Sequence, residues 1–250
     1  MAGVLLVTGA GRGIGAAIAR QAAAQGWRVA VNYSRSRDAA DQVVAGIAAA
    51  GGQAAAFGAD IGDSAAVTAM FAQVDDVLGP VTALVNNAGV IGPVSRIDAL
   101  DDPAALAALY ATNVFGVFHC CREAIRRMSR RRGGPGGVIV NISSVAARLG
   151  GLPQEVAYAS TKGAVDSLTT GLAREVAADG IRVVGLRPGL TDTDINDGHI
   201  DSKAVLGTVA PTIPLGRVGR PDEIAAAVLF LLSDAASYMT ATTIDVSGGR

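Results

Sequence analysis

Histidine and cysteine are scarce here, two of each in 250 residues, and the placement of each pair excludes a class of protein. His119 and His199 stand 80 positions apart, so no spacing suggests a metal site and none is expected. Cys120 and Cys121 are adjacent, and neighbouring residues point to different faces of a helix. A disulfide framework is therefore excluded, a reducing cytoplasmic compartment is expected, and both thiols read as small buried hydrophobes. Aromatic residues make up only 4%, and the formal net charge is −1, so no global basic field exists to hold nucleic acid phosphates. The longest uninterrupted apolar run, residues 224–232, is about half of what a bilayer span needs. Neither a basic n-region nor a long apolar h-region precedes Gly9, so a soluble protein without an export signal is expected.

Apolar residues, by contrast, make up 50% of the chain, which is ample for a buried core and too much for a disordered chain. The 32 glycines exceed the usual share of roughly 7%, which points to tight turns and close backbone approaches. Short β-branched runs recur at residues 4–8, 28–32, 53–57, 83–86, 138–142, 182–186 and 242–246. Stretches of helical periodicity alternate with them, at 14–25, 37–50, 64–78, 103–131, 156–178 and 221–232. Several strands are continuous apolar runs, as expected when helices cover both faces of a parallel sheet. The pattern predicts an α/β protein: a doubly wound, Rossmann-type, seven-stranded parallel sheet with helices on both faces. No composition shift or linker divides the chain, so residues 1–250 are expected to form one domain. The arginine-rich stretch 126–132, followed by glycines to 137, reads as cations at a helix C-terminus and a turn into the next strand.

Thr8-Gly9-Ala10-Gly11-Arg12-Gly13-Ile14-Gly15 lies between the first strand and the first helix. Side chains at the glycines would block the turn and keep a pyrophosphate from the backbone, and the helix N-terminus offers free N–H groups to that anion. The loop lacks the Gly-Lys-Ser/Thr ending of a nucleoside triphosphate site. Gly9, Arg12, Gly13, Ile14 and Gly15 are thus candidate cofactor residues. An NAD site usually ends the second strand with a carboxylate on the ribose hydroxyls, but here that strand ends Asn32-Tyr33-Ser34-Arg35. The first 37 residues hold no Asp or Glu and five arginines, of which Arg12 and Arg35 could clasp a 2′-phosphate. NADP(H) is favoured over NAD(H), and Arg20 and Arg28 read as solvated surface residues.

Tyr158 and Lys162 stand four apart in a helical segment, which puts both side chains on one face. An ammonium there can stabilise a phenolate, and a phenol pKa of about 10 needs such help for base chemistry near pH 7. With these residues the chain resembles the short-chain dehydrogenase/reductase family over nearly its full length, akin to bacterial ketoacyl reductases and sugar dehydrogenases. The matching motifs are residues 8–15, Asn86-Asn87-Ala88-Gly89, Asn113, Ser143-Ser144, Tyr158 with Lys162, and Pro188-Gly189. The resemblance implies that Tyr158 is the general acid in carbonyl reduction and the base in alcohol oxidation. It implies that Lys162 lowers the Tyr158 pKa and binds the nicotinamide ribose, and that Ser144 hydrogen-bonds the substrate oxygen. Asn113 would hold a water linking Lys162 to solvent. Asp60, with Ile61 beside it in the cofactor-binding set, would face the adenine, and Asn86, Asn87, Ala88 and Gly89 would line the ribose. Pro188, Gly189, Thr191 and Thr193 would contact the carboxamide side. A homotetramer, built from the helices at 103–131 and 156–178 and the last strand, is also implied.

The chain departs from the family pattern in three places. Ser144 lies 14 positions before Tyr158 rather than 13, so Ser143 competes for its role and the loop 145–157 differs in shape. Met239-Thr240-Ala241 stands where Thr-Gly is usual, and Ser247 where Asp is common. The segment 190–215 follows the sixth strand and carries Asp192, Asp194, Asp197, Asp201 and His199 but no aromatic residue. A small polar carbonyl or alcohol suits it better than a large flat ligand. The expected function is hydride transfer between NADP(H) and a small carbonyl or secondary alcohol. The alternatives are a catalytically silent dinucleotide sensor or scaffold, and an isomerase or dehydratase that retains its cofactor.

Overall fold

The computed structural model describes residues 3–193 and 209–250. Seven strands form in the order of the apolar runs: β1 (Val4–Val7), β2 (Arg28–Tyr33), β3 (Gln53–Gly58), β4 (Val81–Asn86), β5 (Gly137–Ile142), β6 (Ile181–Pro188) and β7 (Thr243–Val246). They make one sheet ordered β3-β2-β1-β4-β5-β6-β7, with every pair parallel. The order reverses between β1 and β4, so a crevice opens at the carboxyl ends of those strands.

Helices α1 (Gly13–Ala24) and α2 (Arg37–Ala49) cover one face, together with α8 (Pro221–Leu232). The other face is covered by α3 (Ser64–Leu78), by α5 (Gly116–Met128) and by α7 (Val156–Val176). Each face buries its own apolar cluster, one around Ile18, Val43 and Val228, the other around Phe71, Met70 and Ile139. The burial of both sheet faces explains why β1 reads as an unbroken apolar run. Local caps agree with this layout. Asp63 accepts the Ala65 and Ala66 N–H groups at the start of α3, and the Glu223 carboxylate accepts the Arg220 N–H at 2.8 Å at the start of α8.

The single helix expected over 103–131 is three pieces. Helix α4 (Pro103–Tyr110) runs into a π turn at Ala111–Phe115, and α5 continues from Gly116. Within the turn the Gly116 N–H reaches the Ala111 carbonyl, five residues back. The physical reason is Asn113, whose side-chain amide grips both backbone groups of Val90 at 2.8 and 2.9 Å and draws its residue out of helical register. By length and composition the stretch Pro103–Met128, with a mean hydropathy of 1.5, could cross a membrane. Here Val117, Cys120, Cys121 and Ala124 bury it against the sheet, and Phe115 and Phe118 face outward, each about half exposed. A short helix, α6 (Ala146–Leu149), was not expected from periodicity; four residues are too few to show it.

Two local expectations change. Arg28 is not simply solvated: its guanidinium donates to the Leu78 carbonyl and so caps the end of α3. Ala241, in place of the usual glycine, sits at φ +56°, with its N–H donating to the Val183 carbonyl at 2.9 Å. A side chain in that region costs about 1–2 kcal/mol, and glycine returns part of this through its freer unfolded chain. Ala241→Gly should therefore stabilise the protein by about 0.5–1 kcal/mol and raise Tm by roughly 2–3 °C. A thermal melt checks this, and an unchanged or lower Tm would contradict the strain.

Candidate active site

The crevice over β1 and β4 is a cavity of about 460 Å³. One end is the glycine-rich turn and the N-terminus of α1. The other is walled by Ser144, Leu149, Leu152, Glu155 and Tyr158. Helix α1 starts at Arg12 with no side-chain cap and no acidic residue in its first turn, so its leading N–H groups remain for an anion.

The turn is held from behind by two asparagines. Asn32, buried at the end of β2, accepts the Gly9 N–H at 3.2 Å and donates to the Phe57 and Ala59 carbonyls. Asn87 donates to the carbonyls of Thr8 and Gly9 at 2.9 and 3.1 Å, while the Thr8 hydroxyl accepts the N–H groups of Asn87 and Ala88. Gly9 adopts φ +61°, and a Cβ there would lie 2.9 Å from the Ala88 Cα. A Cβ on Gly15 would come within 2.5 Å of the Gly9 carbonyl oxygen. Only glycine lets α1 approach the turn this closely. A dinucleotide fits this arrangement: a narrow backbone cradle, an uncapped helix end, and Arg12, Ser34 and Arg35 lining the cavity with no carboxylate at the end of β2.

The chemistry-bearing residues meet at the far end. Tyr158 is partly buried, and Lys162, one turn along α7, is 5% exposed. The Lys162 ammonium lies 5.8 Å from the centre of the Tyr158 ring and donates to the Ile142 carbonyl at 3.0 Å. Burial pushes the Tyr158 phenol up to about 12; a hydrogen bond with Ser144 works against this, and the Glu155 carboxylate works with it. Burial also brings Lys162 down to about 8, with Asp166 holding it up in part. Lys162 is thus mostly cationic near pH 7, while the phenol keeps its proton.

The two serines separate by their partners. The Ser143 hydroxyl is buried and donates to the Lys162 carbonyl at 3.2 Å. That of Ser144 accepts the Ala146 N–H at 3.1 Å and reaches Tyr158. Asn113 does not line the cavity. Besides gripping Val90 it donates to the Thr161 hydroxyl at 3.1 Å, so its side-chain amide hydrogens are spent on protein partners.

Of the expected cofactor residues, Gly9, Arg12, Gly13, Ile14, Asn32, Tyr33, Ser34, Arg35, Asp60, Ile61, Asn87, Ala88, Gly89, Pro188, Gly189, Thr191 and Thr193 all line the cavity. Gly15 stands behind the wall, because its task is close packing of α1. Asn32 is occupied by backbone groups and acts as a brace. Asn86 turns away into the core, donating to Asn141 at 2.8 Å, since alternate residues of β4 face opposite sides. Asp60 spends one carboxylate oxygen on the Gly62 N–H at 2.9 Å. Asp194, Asp197, His199 and Asp201 lie outside the described residues. Glu155, Arg250, Val90, Ile91, Leu149 and Leu152 line the cavity without having been singled out; the extra residue before Tyr158 was the one signal of an altered wall. Cys120 and Cys121 are buried and free of disulfide, and burial raises both thiols, Cys121 to about 12, so neither is a nucleophile. Among the described residues no group of three or more His, Cys, Asp or Glu is arranged to hold a metal ion.

Comparison with known proteins agrees with this geometry. The family model described as enoyl-(acyl carrier protein) reductase matches residues 9–250. The uncharacterized oxidoreductase YgfF of Escherichia coli (strain K12) is 46% identical over 99% of both chains. The 3-oxoacyl-[acyl-carrier-protein] reductase FabG of Staphylococcus aureus (strain Mu50) is 40% identical over 98% of this chain and 96% of its own. Among solved structures, a Burkholderia cenocepacia short-chain dehydrogenase in complex with NADP superposes with a TM-score of 0.89 at 34% identity, covering 98% of this chain and 96% of that one. A Brucella melitensis 3-ketoacyl-(acyl-carrier-protein) reductase complexed with NADH gives the same score and identity, covering 99% and 98%. With its glycine-rich turn at the switch point of a parallel sheet and its Tyr158–Lys162 face, the chain belongs to the short-chain dehydrogenase/reductase family of NAD(P)-dependent oxidoreductases.

Proposed function

We propose that the protein reduces a small ketone or aldehyde with NADPH, and that Tyr158 protonates the carbonyl oxygen. The observation that carries this reading is the convergence of Tyr158, Ser144 and Lys162 in one cavity with the glycine-rich turn. NADPH supplies the hydride, while the chain supplies position and a proton. Ser144 polarises the substrate oxygen, and Lys162 holds the nicotinamide ribose and keeps positive charge beside the phenol. Asn113 fixes the backbone at Val90, next to Gly89, and so positions the proton route behind Lys162.

The protonation state of Tyr158 is the one that carbonyl reduction requires. A phenol near 12 keeps its proton at neutral pH and is a weak acid, so it gives that proton only to an oxygen that gains negative charge as the hydride arrives. Driving it to phenolate at pH 7 from that value costs about 7 kcal/mol, at about 1.4 kcal/mol per unit. The preference for NADPH is supported by Arg12 and Arg35 at the cavity and by the absence of a carboxylate after β2. Val90, Ile91, Val145, Leu149 and Leu152 line the substrate end, which suits a carbonyl carrying an apolar chain. A single domain bears both sites, working in the cytoplasm as a homotetramer whose contacts include the outward Phe115 and Phe118.

NADPH oxidation with a panel of ketones and aldehydes tests the reading. Turnover with at least one carbonyl, faster with NADPH than with NADH, is expected. Tight NADPH binding without turnover on any carbonyl would instead mark a dinucleotide sensor.

A further inference from the structure

A chain of ion pairs joins the elements that carry the site. Asp166 lies one turn beyond Lys162 on α7, so the two share a helix face. Its Oδ2 accepts the Arg187 Nε–H at 2.8 Å, while its Oδ1 is buried and has no hydrogen-bond partner among the described residues. Arg187 stands on β6 directly before Pro188 and Gly189, which line the cavity. Its register partner on β7 is Asp245, reached by Nη1 at 3.2 Å. Asp245 in turn accepts from Arg148 at 3.0 Å, on the short helix α6 that follows Ser144. Arg187 and Asp166 are both largely buried, with side chains 21% and 17% exposed, so solvent screens this link of the chain only in part.

We propose that Asp166 is a positioning residue for Lys162: from one turn along the same helix face its carboxylate supports the positive charge of the lysine ammonium beside Tyr158, and Arg187 sets how much of that carboxylate Lys162 feels. The inference rests on the role proposed for Lys162, and it adds the residues that govern it. Among the described residues Lys162 makes one side-chain hydrogen bond, to the Ile142 carbonyl, against the three that an ammonium can donate. Near it, on α7, are Tyr158 and Asp166; Arg187 on β6 and Asp245 on β7 act through Asp166. Ser143 and Asn113 bring only neutral groups. Asp166 therefore supports the charge that burial opposes, and Arg187 offsets Asp166. Removing either should move the ionisation of Lys162 in opposite directions. Simple damage to the fold would not do so.

The chain has only two lysines, Lys162 and Lys203, the latter outside the described residues. Protein labelled with 13Cε-lysine thus gives two NMR signals, and Lys203→Arg assigns them. The Lys162 midpoint is expected near 8 in the parent protein. In Asp166→Asn it should fall, and in Arg187→Met rise, each by about half a unit or more, while Arg187→Lys stays near the parent value. If Asp166→Asn does not fold, Asp166→Ser gives the same reading. A midpoint that does not move when Asp166 is replaced, or that moves the same way in both variants, overturns the proposal. Where turnover is measurable, Asp166→Asn should shift the pH at which kcat falls rather than lower kcat equally at every pH. The NMR titration needs no turnover, so an inactive parent protein would refute the proposed reductase while leaving this inference separately decided.

Discussion

Tyr158→Phe is expected to lower kcat for NADPH-dependent carbonyl reduction by about 10²–10⁴-fold, the usual worth of a positioned general acid. NADPH affinity should stay within a few-fold, because the ring remains in place and only the hydroxyl is lost. The substitution removes the proton donor and the hydroxyl that meets Ser144. It leaves the Lys162 ammonium with its Ile142 carbonyl partner. Steady-state rates and calorimetric NADPH binding on the same preparation separate these effects. Retention of most of the activity would mean that another group delivers the proton. The parent enzyme should also show a characteristic pH profile. A phenol near 12 keeps its proton across the neutral range, so reduction should hold steady through pH 7. It should then fall as pH rises past about 8, where Lys162 loses the charge that holds the ribose.

The second large effect concerns cofactor choice. Replacing both Arg12 and Arg35 by Ser should weaken NADPH binding by about 10²-fold and leave NADH binding nearly unchanged. A hydrogen bond to a charged group is worth about 1.5–3 kcal/mol when sheltered, and both arginines are exposed, so roughly tenfold for each is the expected scale. Arg12 opens helix α1 and Arg35 follows β2, so both line the cavity near the turn. Binding isotherms for both cofactors provide the check. Equal losses for NADPH and NADH would assign the arginines to the pyrophosphate, which the two share, rather than to the 2′-phosphate. The effect should also shrink with added salt, because the partners are exposed charges.

Much of the site was legible in the sequence because its parts are local. The turn at residues 8–15 needs glycine wherever backbone meets backbone, and Gly9 and Gly15 are where a Cβ would collide. Tyr158 and Lys162 are joined by the period of one helix. What stayed hidden depends on long-range partners. Asn32, expected as a cofactor residue, lines the cavity and is also a brace between Gly9 and the β3 end, because its register with Phe57 brings that carbonyl within reach. The break at Asn113 could not be read from apolar spacing, since it follows from Val90, 23 positions away. Ser143 and Ser144 are adjacent and chemically identical, so only the surroundings could tell them apart.

By itself the sequence determined the layered parallel architecture, the dinucleotide turn and the tyrosine–lysine face. Alternating periods and short spacings encode all three without reference to distant residues. Tertiary structure alone decided how charge is arranged around that face: Glu155 at the wall, and Asp166 tied to Arg187 and Asp245. These groups lie 21 and 58 positions apart along the chain and meet only through the register of β6 with β7 and the packing of α7. A charge acts through distance and burial, and both exist only once the sheet has formed.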